Sequence, residues 1–121
     1  MDIQTLAQNF TKAVAEDREA DYKAYWADDI VSLEPQEGEM SRCEGREALE
    51  QKHAWWNQNA EVHSVNTKGP FVYGDQFAVQ YDMDVTIDGE RNQMSEVGLY
   101  TVKDGKIAEE RFMYGSEDGV S

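Results

Sequence analysis

The chain has 121 residues, with 25 Asp and Glu against 11 Lys and Arg and a formal net charge of −14 at pH 7. That length suits one domain, read over residues 1–121 with an ordered core at about 3–114. An acidic surface without a Lys/Arg cluster argues against nucleic acid as a partner, because phosphate repels it, and disfavours anionic membrane surfaces on the same grounds.

Aromatic residues make up 11% of the chain, which separates it from acidic disordered sequences. Cys43 is the only cysteine, so no intramolecular disulfide can form, and its setting between Arg42 and Glu44 reads as a surface or loop position. The opening MDIQTLAQNF holds no apolar run, so no signal peptide is expected, and no stretch nears the ~20 apolar residues of a membrane span. A cytoplasmic location is the expectation.

Ile3, Leu6, Ala7, Phe10 and Val14 form one apolar stripe at helical spacing, with Asp2 as its N-cap. A second short helix is expected around Ala20, Tyr22, Ala24, Tyr25, Trp26 and Ala27, ending at Asp28-Asp29. Ile30 to Glu34 reads as a short strand stopped by Pro35, and Gln36 to Gly45 as a loop. A third helix is expected from about Arg46 to Asn59, with Leu49, Lys52 or His53, and Trp56 on one side.

From residue 61 the period becomes two. Glu61 to Lys68 reads as a strand ended by Gly69-Pro70, and Phe71 to Tyr73 as a separate short one. Phe77, Val79, Tyr81, Met83, Val85 and Ile87 then alternate with polar residues. Asp88-Gly89 and Asp104-Gly105 are two-residue hairpin signals, joining strands over residues 91–103 and 107–114. Gly115 to Ser121 reads as a frayed tail. Helices first and strands last mean an α+β domain with helices on one face of an antiparallel sheet.

The two turns set the register. The first places Ile87 opposite Glu90, Met83 opposite Met94, Tyr81 opposite Glu96 and Phe77 opposite Tyr100. The second places Val102 opposite Ile107, Tyr100 opposite Glu109 and Gly98 opposite Arg111. One face then carries Phe77, Val79, Tyr81, Met83, Met94, Glu96, Tyr100, Val102 and Ile107. The other is mixed, carrying Gln80, Asp82, Asp84, Gln93, Val97, Leu99, Glu110, Phe112 and Tyr114, and its apolar band of Val97, Leu99 and Phe112 suggests a second subunit. A single β-bulge would exchange parts of these faces. Glu109-Glu110-Arg111 reads as a surface charge cluster.

Glu96 is then a carboxylate on an apolar face, which is costly unless paired, hydrogen-bonded or protonated. Two readings stand: a pocket acid with a raised pKa, or a strand-end anchor bonded to Tyr81 or Lys52. Glu34 is either a general base or a cap on the loop at Gly38. His53 and His63 could each join a carboxylate dyad or simply pack. No His/Cys pattern supports a metal, and no cofactor is expected.

The segments Tyr25-Trp26-Ala27-Asp28-Asp29-Ile30-Val31 into Leu33-Glu34-Pro35, Glu44-Gly45-Arg46-Glu47-Ala48-Leu49, and Val102-Lys103-Asp104-Gly105-Lys106-Ile107 carry a resemblance. In this order and spacing the chain resembles the SnoaL-like domains of the nuclear transport factor 2-like superfamily, over about residues 3–114. The resemblance implies a cone-shaped half-barrel, with three N-terminal helices packed on a curved, mainly antiparallel sheet around a pocket. It also implies a homodimer through the outer sheet face. Ketosteroid isomerase, in the same superfamily, has its general base immediately before a Pro, which matches Glu34. Its oxyanion donors fall at Phe10 and about Gly98, neither of which donates, while Glu96 and Tyr100 flank the second position.

The catalytic expectation is therefore Glu34 as base with Glu96 or Tyr100 as acid or oxyanion partner. The ligand wall is expected from Phe10, Trp26, Trp56, His63, Tyr81 and Met83, around a small apolar carbonyl compound. The alternative is a non-catalytic binding or dimerisation module with structural carboxylates.

Overall fold

A computed structural model describes residues 1–35, 38 and 41–114. The expected tail at 115–121 and residues 36, 37, 39 and 40 of the expected loop lie outside the described residues. Helix α1 spans Ile3–Ala15, α2 Glu19–Lys23 and α3 Arg46–Asn59. The strands are β1 Trp26–Leu33, β2 Arg42–Glu44, β3 Ala60–Tyr73, β4 Gln76–Ile87, β5 Glu90–Lys103 and β6 Lys106–Met113.

The Asp2 carboxylate accepts the Thr5 N–H at 2.7 Å, as an N-cap should. Leu6, Ala7 and Phe10 on the buried stripe of α1 pack onto the sheet through β3 and β4. Helix α2 stops at Lys23, short of the expected end at Asp28-Asp29, and Trp26 opens β1. Strand pairing explains the difference. Trp26 lies beside Ile107 of β6, the Ile107 N–H donates to Tyr25 O at 2.8 Å, and the Arg46 guanidinium donates to Trp26 O at 3.0 Å. Tertiary pairing outweighs the helical spacing of the alanines.

Two further expectations are corrected. Residues 42–44 form β2 rather than loop, and Cys43 is buried there in antiparallel register with Ser32. Residues 60–73 form one strand, not two, because β4 continues opposite them and the register merely shifts between Lys68 and Phe71.

The sheet order is β2-β1-β6-β5-β4-β3, antiparallel except for the parallel β1–β6 pair. It is curved and unclosed, and the helices, all in the first half of the chain, complete a half-barrel, with α1 against β3 and β4 and α3 against β1, β2 and β3. The inner face and helices share a core that includes Phe10, Trp26, Ile30, Leu49, Phe77, Val79, Tyr81, Tyr100 and Ile107.

The first hairpin has the expected register throughout: Ile87–Glu90, Met83–Met94, Tyr81–Glu96 and Phe77–Tyr100 are all partners. Both turn residues are left-handed, Asp88 at φ 53° and Gly89 at φ 81°, as a tight twisted hairpin needs. In the second hairpin Val102 does face Ile107, but the register shifts between Thr101 and Val102. Beyond that shift Tyr100 faces Glu110 and Gly98 faces Phe112, one residue later than expected. The bulge turns Glu110 and Phe112 to the inner face, which corrects both the expected outer band and the surface charge cluster. Glu110 is 3% exposed. No helix among the described residues is long and apolar enough to cross a membrane.

Candidate functional site

Alternation along β1 brings Ile30 and Ser32 to the inner face, both fully buried, and Glu34 follows two residues later. Parallel pairing sets Ser32 beside Glu110, whose Oε2 accepts the Ser32 hydroxyl proton at 2.8 Å. From α3, the Lys52 ammonium donates to Ser32 Oγ at 2.9 Å and pairs with Glu34 Oε1 at 2.6 Å. Both charged side chains of that pair are largely shielded, at 15% exposure for Lys52 and 13% for Glu34. The same ammonium lies 5.3 Å from the Phe112 ring centroid, and the Tyr114 phenol hydrogen-bonds Glu34. Strands β1 and β6 thus converge on one lysine from α3.

Glu96 enters from β5, in register with Tyr81. Burial first, then the negative charge of Glu34 and Glu110, pushes its carboxyl up to about 7 against the opposing pull of Lys52. Its side chain makes no hydrogen bond among the described residues. Burial likewise lifts Glu110 to about 7, while Lys52 and the Ser32 hydroxyl hold it down. Two carboxyls raised to near neutrality thus lie beside one carboxylate held in an ion pair.

Glu34 also lines an open cleft of about 550 Å³ with Leu33, Pro35, Arg111, Phe112, Met113 and Tyr114. Glu96 is not among its walls.

Of the expected site residues, Glu34 and Glu96 fall into one electrostatic cluster. Tyr100 shares their face but is fully buried. Its hydroxyl is 2.6 Å from that of Tyr81, its ring stacks on Phe77 at 4.8 Å, and Phe10 meets it edge-on at 4.9 Å. Burial raises both phenols well above the ordinary tyrosine range. Phe10 and Tyr81 are therefore core, and Tyr81 bonds Tyr100 rather than Glu96. Trp26 is buried at the far end of β1 against His53, 5.0 Å between ring centroids. Met83 is partly buried on the inner face opposite Met94, and Trp56 is partly buried on α3.

His63 is a correction. It sits in an irregularity between Val62 and Ser64, its Nε2 lies 2.7 Å from Thr86 Oγ1, and it is exposed. Thr86 alternates with buried Val85, so the imidazole is on the outer face, away from Glu34 and Glu96.

Ser32, Glu110 and Tyr114 escaped the sequence reading as site residues, and Lys52 entered it only as a partner for Glu96. The two-residue spacing of Ile30, Ser32 and Glu34 was a usable signal for Ser32. The shared parity of Glu110, Phe112 and Tyr114 was a usable signal for β6. No group of three or more His, Cys, Asp or Glu among the described residues is arranged to hold a metal ion.

Helices laid over a curved, unclosed sheet, with ionisable groups on its concave side, define a nuclear transport factor 2-like α+β half-barrel. A family model for the SnoaL-like domain matches residues 1–114, and the chain belongs to that family. A solved structure from Mesorhizobium loti, named for the SnoaL-like polyketide cyclases and also as a carbohydrate phosphatase, is 50% identical. It superposes with a TM-score of 0.90 over 94% of this chain and 100% of its own. A nuclear transport factor 2-like protein of unknown function from Burkholderia pseudomallei shares the fold at 12% identity, with a TM-score of 0.78 over 96% of this chain and 92% of its own. A Pseudomonas putida protein named for the polyketide cyclases does so at 16% identity, with a TM-score of 0.74 over 99% and 96%. A search of curated protein sequences finds no match.

Proposed function

We propose that the protein binds a small apolar carbonyl compound and moves a proton on it without a cofactor, as isomerases, cyclases and dehydratases do. The observation that carries this reading is Glu96: an inner-face carboxyl with no hydrogen-bond partner among the described residues, titrating at about 7 beside the Glu34–Lys52 pair. Glu34, on the cleft wall, takes a proton from carbon next to the carbonyl. Glu96 stands behind the cleft wall rather than on it, so the reading has the ligand enter past Glu34 toward the inner face, where protonated Glu96 donates to the enolate oxygen that develops, a role that needs a carboxylic acid kept neutral at working pH. Tyr100, tied to Tyr81 and sealed behind Phe10, acts by holding this face rather than by touching the ligand. Leu33, Pro35, Phe112 and Met113 supply the apolar wall of the cleft, and Met83 and Trp56 lie outside it. The reading includes a cytoplasmic homodimer through the outer sheet face, supported by Phe71 at 67% and Tyr73 at 91% exposure there.

The test is α-proton exchange into deuterated water, followed by NMR over a panel of small apolar ketones that carry a CH or CH2 next to the carbonyl. At least one should exchange faster with the protein than without, and Glu34→Gln should slow that exchange by a factor on the order of 10². Binding without exchange, or an unaffected Glu34→Gln, overturns the catalytic reading in favour of a binding module.

A further inference from the structure

The proposed proton transfer leaves one group unassigned: the lysine that pairs with Glu34, reaches Glu110 through Ser32, and whose charge acts on Glu96. Lys52 is the cation of the cluster, and it makes both of its hydrogen bonds there: one to Glu34 at the end of β1 and one to Ser32, which passes on to Glu110 on β6. It arrives from α3, whereas the carboxyls arrive from β1, β5 and β6. The helix is thus joined to the sheet at the point where proton affinity is set. Its ammonium is capped on a further side by the Phe112 ring.

We propose that Lys52 is the positioning residue of this site: its single ammonium holds the Glu34 arm and the Ser32–Glu110 arm in place and supplies the charge against which Glu96 exchanges its proton. The inference deepens the proposed function, since it explains how an acid and a base of the same residue type are kept apart. Three carboxyls in a shielded pocket repel one another, and one fixed cation lets part of that charge persist at neutral pH. The groups facing Glu96 are Glu34 and Lys52, Glu110 across β6, Tyr81 and Tyr100 on the sheet, and Tyr114 beyond β6. Those facing Glu110 are Lys52, Ser32, Glu34, Tyr22, Tyr81 and Tyr100. Lys52 is the cation among them.

The experiment needs no ligand, so its outcome is independent of whether the carbonyl chemistry holds. Carboxyl carbons of ¹³C-labelled glutamate are followed by NMR against pH in the wild type, Lys52→Met and Lys52→Arg. In the wild type Glu96 and Glu110 should titrate with midpoints at about 7. Lys52→Met should raise the Glu96 midpoint by about one pH unit or more, because a nearby positive charge is gone while the packing volume stays. Lys52→Arg should restore most of the shift. A folded Lys52→Met with the Glu96 midpoint unmoved overturns the proposal, since a purely structural lysine would cost stability and leave the titration alone. If Lys52→Met does not fold, Lys52→Gln is read in the same way. Ser32→Ala adds an independent arm: it should move Glu110 upward more than Glu96, and equal movement of both overturns the two-arm arrangement.

Discussion

Ser32 and Glu110 lie 78 residues apart in the chain, yet the Ser32 hydroxyl donates to Glu110 Oε2 at 2.8 Å in a fully buried setting. Two local events create the bond. Parallel pairing sets β1 beside β6, and the bulge at Thr101–Val102 turns Glu110 inward. Without that bulge the carboxyl would face away from the helices and Lys52 would keep Glu34 and Ser32 but lose the link on to Glu110.

Stability should report this buried pair through pH. Glu96 and Glu110 have folded-state values near 7, above the ordinary 4.5, so the folded chain holds protons that the unfolded chain releases. Their contribution is complete below about pH 4.5 and is lost as pH rises through about 7. Wild type should therefore lose stability relative to Glu110→Gln between about pH 5 and pH 8, by on the order of 2 kcal/mol. Urea denaturation at both pH values checks this, and a constant difference between the two proteins would refute it.

Gly98 is required by the ring next to it. A Cβ there would stand 2.6 Å from Tyr100 Oη and 2.9 Å from two of its ring carbons. The ring cannot step aside, because Phe77 stacks on it and Phe10 meets it edge-on. Gly98→Ala should destabilise the fold by about 1–3 kcal/mol, the usual cost of overpacking a core. Thermal or urea denaturation measures it, and an unchanged midpoint would show that the aromatic stack yields.

His53 should stay neutral at every physiological pH. Burial, then the positive charges of Lys23 and Lys52, holds its imidazole down to about 4 from an ordinary 6.5. Because the folded value is depressed, His53 contributes stability above about pH 6.5 that is lost as pH falls toward 4. Its ring proton shifts should be flat from about pH 8 to 5.5. A midpoint near 6.5 would contradict the burial of this ring beside Trp26.

Much of this fold was legible because its signals are local. Asp88-Gly89 accepts left-handed backbone at both positions, so a two-residue turn follows, and every partner in β4–β5 follows from the turn. The same logic failed one residue past Val102, where nothing in Thr101-Val102 announces an inserted residue. The error carried Glu110 and Phe112 to the wrong face, together with half of the polar cluster. Glu34 and Glu96 were legible because each breaks an expectation of its own strand, one standing before a proline and one on an apolar face. Lys52 shared its place on the α3 stripe with His53, and nothing in the helix chose between them until β1 was set beneath it. His63 looked inward only until the irregularity at Val62–Ser64 turned it out.

The parallel β1–β6 pair also imposes an order of events. Strands β3, β4 and β5 are joined in sequence, so each can find its neighbour soon after it leaves the ribosome. Strand β1 leaves early but completes its pairing only when β6 follows. Through that interval its inward edge has hydrogen-bonding groups without a strand beside them, and such edges recruit other chains. Assembly of the Ser32–Glu110 link is thus a late step. Substitutions in β6 should therefore reduce the yield of native protein even where they leave the finished fold intact.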